Sequence, residues 1–371
     1  MDANDLSVPT HIQALAPYQA GKPLGALAEE FGLDPASIIQ LASNENPLGM
    51  PQPARQAAIE ALAGGARYPD ANGHYLKEAL SRRYGVPLDW LTLGNGSNDI
   101  LNLVAAAFLG AGRSAVYAQY GFVVYKLAVQ ASGSRHIEVP ARQYGHDLDA
   151  MRSAIASDTR VVYLANPNNP TGTFLPGEQI AAFVEAVRRD HGSRVIVVLD
   201  EAYNEYLAPE LRFDSVALVR RHPNLIVART FSKAYALAGL RVGFAIAQPA
   251  VSDYLNRVRE TFNVSAPAQA AAIAALHDTA FLEQSYEANR QGLRQLTDGF
   301  DELKLDYVPS VGNFVMVRLG AAAAVHLELL KRGVIVRHVA GDGLPEWLRI
   351  SVGLPRENQA FLTALREILA R

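Results

Sequence analysis

The sequence predicts an α/β fold, with a larger domain on a mostly parallel central sheet and a smaller α+β domain after it. Three observations carry this. Four short runs, 161–165, 195–199, 225–228 and 242–247, are β-branched and apolar on both faces, as strands buried on both sides of a parallel sheet are. Stretches between them, such as 178–189, have the spacing of crossover helices. Past about residue 255 the pattern changes to long helical segments separated by isolated strands.

The elements follow in order. Residues 91–93 form a short apolar run that stops at Gly94-Asn95-Gly96-Ser97-Asn98-Asp99, a glycine turn opening a helix over 100–109. The four buried runs and their crossover helices come next. An Ala-rich helix over 266–277 leads into a second over about 281–303. Then come a strand at 313–317, a helix at 321–332, a strand at 333–337 and a closing helix from about 356.

Composition narrows the function. At roughly 100–200 residues per domain, 371 residues make one large domain or two. The absence of cysteine excludes a disulfide scaffold, a thiol nucleophile and any Cys-based metal site. The nine histidines show no H-E-x-x-H and no tight cluster, so no metal is expected. Net charge is −3 and no long Lys/Arg stripe occurs, which argues against nucleic acid as a partner. Residues 1–5 are acidic without a following apolar core, and no apolar run approaches a membrane span. The expectation is a cytoplasmic protein with no secretory signal and no membrane partner.

Three buried runs end on chemically informative residues. The first stops at Asn166-Pro167-Asn168-Asn169-Pro170-Thr171-Gly172, the second at Asp200-Glu201-Ala202-Tyr203, and the third at Thr230-Phe231-Ser232-Lys233. Singly, an Asn-Pro cluster reads as a turn and a strand-ending Asp as a helix cap. Together they matter more, because ligands in open α/β sheets bind beyond the carboxyl ends of the strands. Asn166, Asp200, Tyr203 and Lys233 should therefore converge on one crevice. The helix start at Ser97 offers free N–H groups and a favourable dipole to an anion. The third glycine of a dinucleotide fingerprint is missing there, with Asp99 in its place.

The segment from Thr230 to Gly243, with the Asn166 and Asp200 motifs in the same order, closely resembles the cofactor-lysine region of fold-type I pyridoxal-phosphate enzymes. The resemblance implies that Lys233 forms a Schiff base with the aldehyde of pyridoxal 5'-phosphate and then moves the proton. Asp200 would pair with the pyridine nitrogen, an interaction of about 4 kcal/mol at ~4 Å and an effective dielectric near 20, or roughly three pKa units. Asn166 and Tyr203 would bond the ring's phenolic oxygen. Ser97, Asn98, Ser232 and Arg241 would hold the phosphate, and Tyr120 would stack on the ring.

Both chain ends narrow the resemblance. Leu41-Ala42-Ser43-Asn44-Glu45-Asn46-Pro47-Leu48-Gly49, Arg67-Tyr68-Pro69-Asp70, Gly333-Val334-Ile335-Val336-Arg337 and Leu348-Arg349-Ile350-Ser351-Val352-Gly353 resemble segments of histidinol-phosphate aminotransferases, homodimeric class-II aminotransferases. That implies transamination between L-histidinol phosphate and 2-oxoglutarate. Tyr68 would reach the partner subunit's cofactor phosphate, Arg349 would hold the carboxylate of glutamate or 2-oxoglutarate, and Arg337 the substrate phosphate. Tyr18 and Asn44 would lie near the substrate. Rigid guanidinium forks bind both anions bidentately, as lysine does not. The chain departs from the commonest family pattern at Asn98-Asp99, where Asp-Glu is usual, and at Ala118, where Pro is usual. Aromatic-amino-acid aminotransferases and threonine-phosphate decarboxylases share the scaffold. A non-catalytic cofactor-binding regulator would need an appended DNA-binding module, for which the pattern leaves no room. The chain is accordingly divided into an N-terminal segment, 1–45, joining the smaller domain, a larger cofactor domain, 46–255, and a smaller C-terminal domain, 256–371.

Overall fold

The computed structural model describes residues 7–16 and 24–370. In chain order its strands are β1 (Ile39–Leu41), β2 (Leu91–Gly94), β3 (Ser114–Ala118), β4 (Arg135–Val139), β5 (Thr159–Ala165), β6 (Ile196–Asp200), β7 (Leu225–Thr230), β8 (Gly243–Ile246), β9 (Tyr307–Val308), β10 (Phe314–Arg318), β11 (Val334–His338) and β12 (Trp347–Ser351). Seven of them form one sheet in the order β2-β8-β7-β6-β5-β3-β4. It is parallel except for β8, which runs antiparallel to both β2 and β7. The α/β class is as expected.

The double-sided apolar pattern of the central strands has a direct cause. Side chains alternate across a strand with period two. Val162, Leu164, Val197, Leu199, Leu225 and Val227 enter the core on one face, which the helix Gly177–His191 covers with Ile180, Phe183, Val184 and Val187. Val161, Tyr163, Ile196, Val198 and Ile226 enter the core on the other, under Ile100, Leu101 and Val104 of the helix Ser97–Phe108. Both faces are thus dry, and the strand ends are left to carry polar chemistry.

The remaining strands form a five-stranded sheet, β1-β11-β12-β10-β9, antiparallel except for the β1–β11 pair. Its core joins Val315, Val317, Leu348 and Ile350 to Phe300 of the helix Thr279–Glu302 and to Phe361 and Leu365 of the closing helix Pro355–Leu369. β1 brings the N-terminal segment into this sheet through the register Leu41↔Val336.

Packing does not change at residue 255. The Ala-rich helix Ala266–His277 belongs to the core of the seven-stranded sheet, through Ala268, Ala271, Ala272 and Ala275. Its small side chains let it lie close against the helix Gln52–Leu62, so it has no need of a separate core. The change of core falls inside Thr279–Glu302, where Leu282 packs on the first core and Leu296 on the second. Among the described residues, no helix is long and apolar enough to cross a membrane.

Candidate active site

A cavity of about 730 Å³ lies beyond the carboxyl ends of β5, β6 and β7 and reaches the five-stranded sheet. Its lining brings together Ser97, Asn98, Asp200, Tyr203, Ser232, Lys233, Arg241, Asn44, Arg337 and Arg349. Parallel strands deliver the ends of β5, β6 and β7 to one edge, and the five-stranded sheet meets them there; the bond from Arg349 Nη2 to Ala42 O, 2.7 Å, closes a separation of 307 residues.

Lys233 follows β7 in a tight loop. Thr230 Oγ1 accepts from Ser232 N at 3.1 Å, Ala236 N donates to Lys233 O at 2.9 Å, and Leu237 N donates to Phe231 O at 2.9 Å. The loop therefore aims Nζ into the cavity, where it donates to Ser43 O at 3.1 Å. Protein atoms around Nζ strip water from it although the cavity mouth is open. That desolvation, with the charge of Arg349, lowers its pKa to about 8, against the opposing pull of Glu45 and Asp200. A substantial neutral fraction near neutrality is what an amine nucleophile needs.

Asp200 ends β6 and is 5% exposed. Burial raises its carboxyl to about 6, while hydrogen bonds from Tyr125 Oη to Oδ2 at 2.9 Å and from Ala202 N to Oδ1 at 3.2 Å favour the carboxylate. A carboxylate so placed gains most from a cation brought to it in the cavity. Tyr203 Oη accepts from Asn44 Nδ2 at 2.9 Å, which leaves its own hydrogen to donate. Asn44 is fixed in turn by Ser351, whose Oγ accepts from Asn44 N at 2.8 Å and donates to Asn44 Oδ1 at 3.0 Å.

The anion cradle is built around two glycines. Gly96 has φ +81°, and a Cβ there would collide with the Arg241 guanidinium. A Cβ on Gly243 would come 2.6 Å from Ser97 N. Glycine at both places brings the start of the helix Ser97–Phe108, which no side chain caps, against Arg241. Arg241 Nη1 is held by Ala238 O at 2.9 Å and donates to Ser232 Oγ at 3.2 Å. Two hydroxyls, one amide, one guanidinium and a helix N-terminus match a phosphate dianion. With Asp200 and Lys233 deeper in the cavity, this donor set fits pyridoxal 5'-phosphate.

Arg337 and Arg349 are directly paired across β11 and β12. Arg349 donates through Nη1 to Asn169 Oδ1 at 2.6 Å and through Nη2 to Ala42 O at 2.7 Å, with its guanidinium carbon 5.4 Å from the Phe314 ring centre. Two cations side by side make the distal end of the cavity an anion site.

Two sequence expectations need correction. Asn166 is buried and its amide is consumed by Leu175, accepting from Leu175 N at 2.8 Å and donating to Leu175 O at 3.0 Å. Asn169, three residues on, faces the cavity and Arg349. Tyr120 does not line the cavity; its ring stacks near Tyr144, centroids 6.1 Å apart, and packs on the core around Trp347. Phe122 lines the cavity instead, with its ring edge-on to Tyr125 at 6.0 Å. An aromatic three residues before the tyrosine that holds Asp200 was the available signal, since residues three apart share a helix face. Tyr68 is 82% exposed and stacks on Phe262 at 4.6 Å, away from the cavity lining of its own chain. Tyr18 lies outside the described residues.

The model of the family described as aminotransferase class I and II matches residues 36–365. The chain is 59% identical over 98% of its length to histidinol-phosphate aminotransferase 2 of Ralstonia nicotianae, covering 97% of that protein. It is also 59% identical over 97% of its length to histidinol-phosphate aminotransferase 1 of Cupriavidus pinatubonensis, covering 96% of it. Its fold is similar to that of a solved histidinol-phosphate aminotransferase from Sinorhizobium meliloti in complex with pyridoxal-5'-phosphate, with a TM-score of 0.89, 29% identity and 98% of each chain covered.

Proposed function

The chain belongs to the class I and II aminotransferases, and on that premise we propose that it transfers the amino group of L-histidinol phosphate to 2-oxoglutarate, using pyridoxal 5'-phosphate and serving histidine biosynthesis. The observation that carries the substrate assignment is the register pair Arg337↔Arg349 at the far end of the lysine cavity. A substrate phosphate and, in the second half-reaction, a dicarboxylate both need such an anchor. Guanidinium forks serve either anion without rearrangement.

When bound, pyridoxal phosphate supplies an electron-withdrawing ring that makes the substrate's amine-bearing carbon acidic. The chain's residues do the rest. Ser97, Asn98, Ser232, Arg241 and the helix start hold the cofactor phosphate. Asp200 holds a proton on the pyridine nitrogen, and Tyr203 donates to the phenolic oxygen. Lys233 Nζ takes up and returns the substrate proton. Arg349, braced by Asn169 and Ala42, orients the carboxylate.

The substrate assignment is tested by initial rates with histidinol phosphate, phenylalanine and threonine phosphate as amino donors or substrates. Histidinol phosphate should give the highest kcat/KM; another order would reassign the enzyme to one of its scaffold relatives. The corrected stacking residue has its own test. Phe122→Ala should weaken cofactor binding by up to about tenfold, the worth of an aromatic pair, whereas Tyr120→Leu should leave it within about twofold when measured by titration of the cofactor-free enzyme.

The enzyme works as a cytoplasmic homodimer in this reading. Supporting it, Ile59, Leu62, Tyr68 and Tyr75, all within residues 59–75, are 52%, 62%, 82% and 71% exposed, and Tyr68 stacks on Phe262, itself 38% exposed, large apolar side chains that association would cover. Tyr68 would then complete the partner's phosphate cradle. Mixing inactive Lys233→Ala and Tyr68→Ala chains should restore activity in the hybrid, which carries one intact site. Sedimentation as a monomer, or no recovery on mixing, counts against the shared site.

A further inference from the structure

β12 offers its two faces to different neighbours. Leu348 and Ile350 enter the core of the five-stranded sheet, while Trp347, Arg349 and Ser351 face the other way. Each of these three is tied to something outside its own sheet partner. Ser351 binds Asn44, Arg349 binds Asn169 and Ala42, and Trp347 meets Tyr144 edge to face with centroids 5.2 Å apart.

Tyr144 comes from the other half of the molecule. It sits at the tip of a tight hairpin closed by Arg142 N donating to Gly145 O at 3.1 Å and Gly145 N donating to Arg142 O at 2.9 Å. Gln143 and Tyr144 both adopt left-handed backbone conformations, φ +51° and +64°, which non-glycine residues keep only where their surroundings impose them. His146 Nε2, 2.9 Å from Ala165 O, anchors the hairpin to the end of β5. From that end runs the loop bearing Asn169, the partner of Arg349. Tyr144 is 36% exposed, so its ring serves contact rather than core filling.

We propose that Tyr144 is a positioning residue for Arg349: by clamping Trp347 two residues away on the same strand face, it holds the guanidinium at the distance from Lys233 that a substrate carboxylate requires. The inference rests on the aminotransferase reading and on Arg349 as carboxylate anchor. The contact is made by the ring alone, so Phe should replace Tyr144 and Ala should not.

The test is titration of the cofactor-loaded enzyme with maleate, a non-reacting dicarboxylate, followed by the change in visible absorbance. Tyr144→Ala should weaken maleate binding and raise KM for 2-oxoglutarate by up to about tenfold. At saturating substrate kcat should stay within about twofold, since uniform binding is what is lost. Tyr144→Phe should match the wild type, and the melting temperature and cofactor affinity of both variants should be unchanged. Unaltered maleate affinity in Tyr144→Ala overturns the proposal, as does a parallel fall in melting temperature and cofactor affinity. Arg349→Lys serves as reference and should weaken maleate more; maleate binding indifferent to it overturns the underlying carboxylate-anchor reading instead.

Discussion

Lys233→Ala is expected to lower turnover by at least about 10⁴-fold, because one side chain provides both the nucleophile and the proton carrier. The variant should fold and still take up the cofactor, since the phosphate cradle of Ser97, Ser232 and Arg241 does not involve Lys233. It should lack the visible absorbance that the lysine-bound cofactor shows. The same absorbance in the Ala protein would sink the lysine assignment. The pH dependence is a separate check. Lys233 is depressed to about 8, so covalent capture of the cofactor by the empty enzyme should rise with pH and level off above about 8, not above the ordinary lysine range. After burial itself, the charge of Arg349 opposes the ammonium most strongly; its removal should shift that rise to higher pH.

The strand-end chemistry was legible in the sequence because a buried parallel strand is nearly all β-branched or aliphatic, so the first polar residue after it stands out. Asp200, Tyr203 and Lys233, which line the cavity, stood out in this way. The same signal pointed to Asn166, the first polar residue after the strand, although Asn169 is likewise an asparagine before proline in the same loop. Which amide the loop spends on its own backbone depends on Leu175 lying opposite Asn166, a tertiary fact. Tyr120 and Phe122 are likewise two residues apart on a turn, and only the position of Trp347, more than 200 residues later, draws Tyr120 out of the cavity. The Ala-rich helix carried no polar face from which to read its partner, so its membership of the first core was hidden. β4, with Arg135 and Glu138 exposed, is an edge strand and lacks the apolar run that announced its neighbours.

Asp200→Asn should cost about 10³-fold in kcat with little change in fold, and the reason is charge rather than shape. An asparagine amide is isosteric with the carboxylate, and its oxygen still accepts from Tyr125 Oη, which reaches Asp200 at 2.9 Å. What disappears is the attraction of about 4 kcal/mol between unit charges ~4 Å apart at an effective dielectric near 20, which is about 10³ in rate if it is fully expressed in the transition state. Tyr125→Phe separates charge from hydrogen bonding. It leaves the carboxylate in place but removes a donor that favours its ionised form. The Asp200 pKa, already raised to about 6 by burial, should then rise further. In the empty enzyme the carboxylate is the form that receives the cofactor's cationic ring, so cofactor uptake has an acid limb that falls as pH drops through that value. Tyr125→Phe should move the acid limb to higher pH while kcat at pH 8 stays within about tenfold of wild type. Asp200→Asn, having no carboxyl to titrate, should be slow at every pH and lose that contribution to the acid limb. Full activity in Asp200→Asn at pH 8 would mean that the pyridine nitrogen needs no charged partner here.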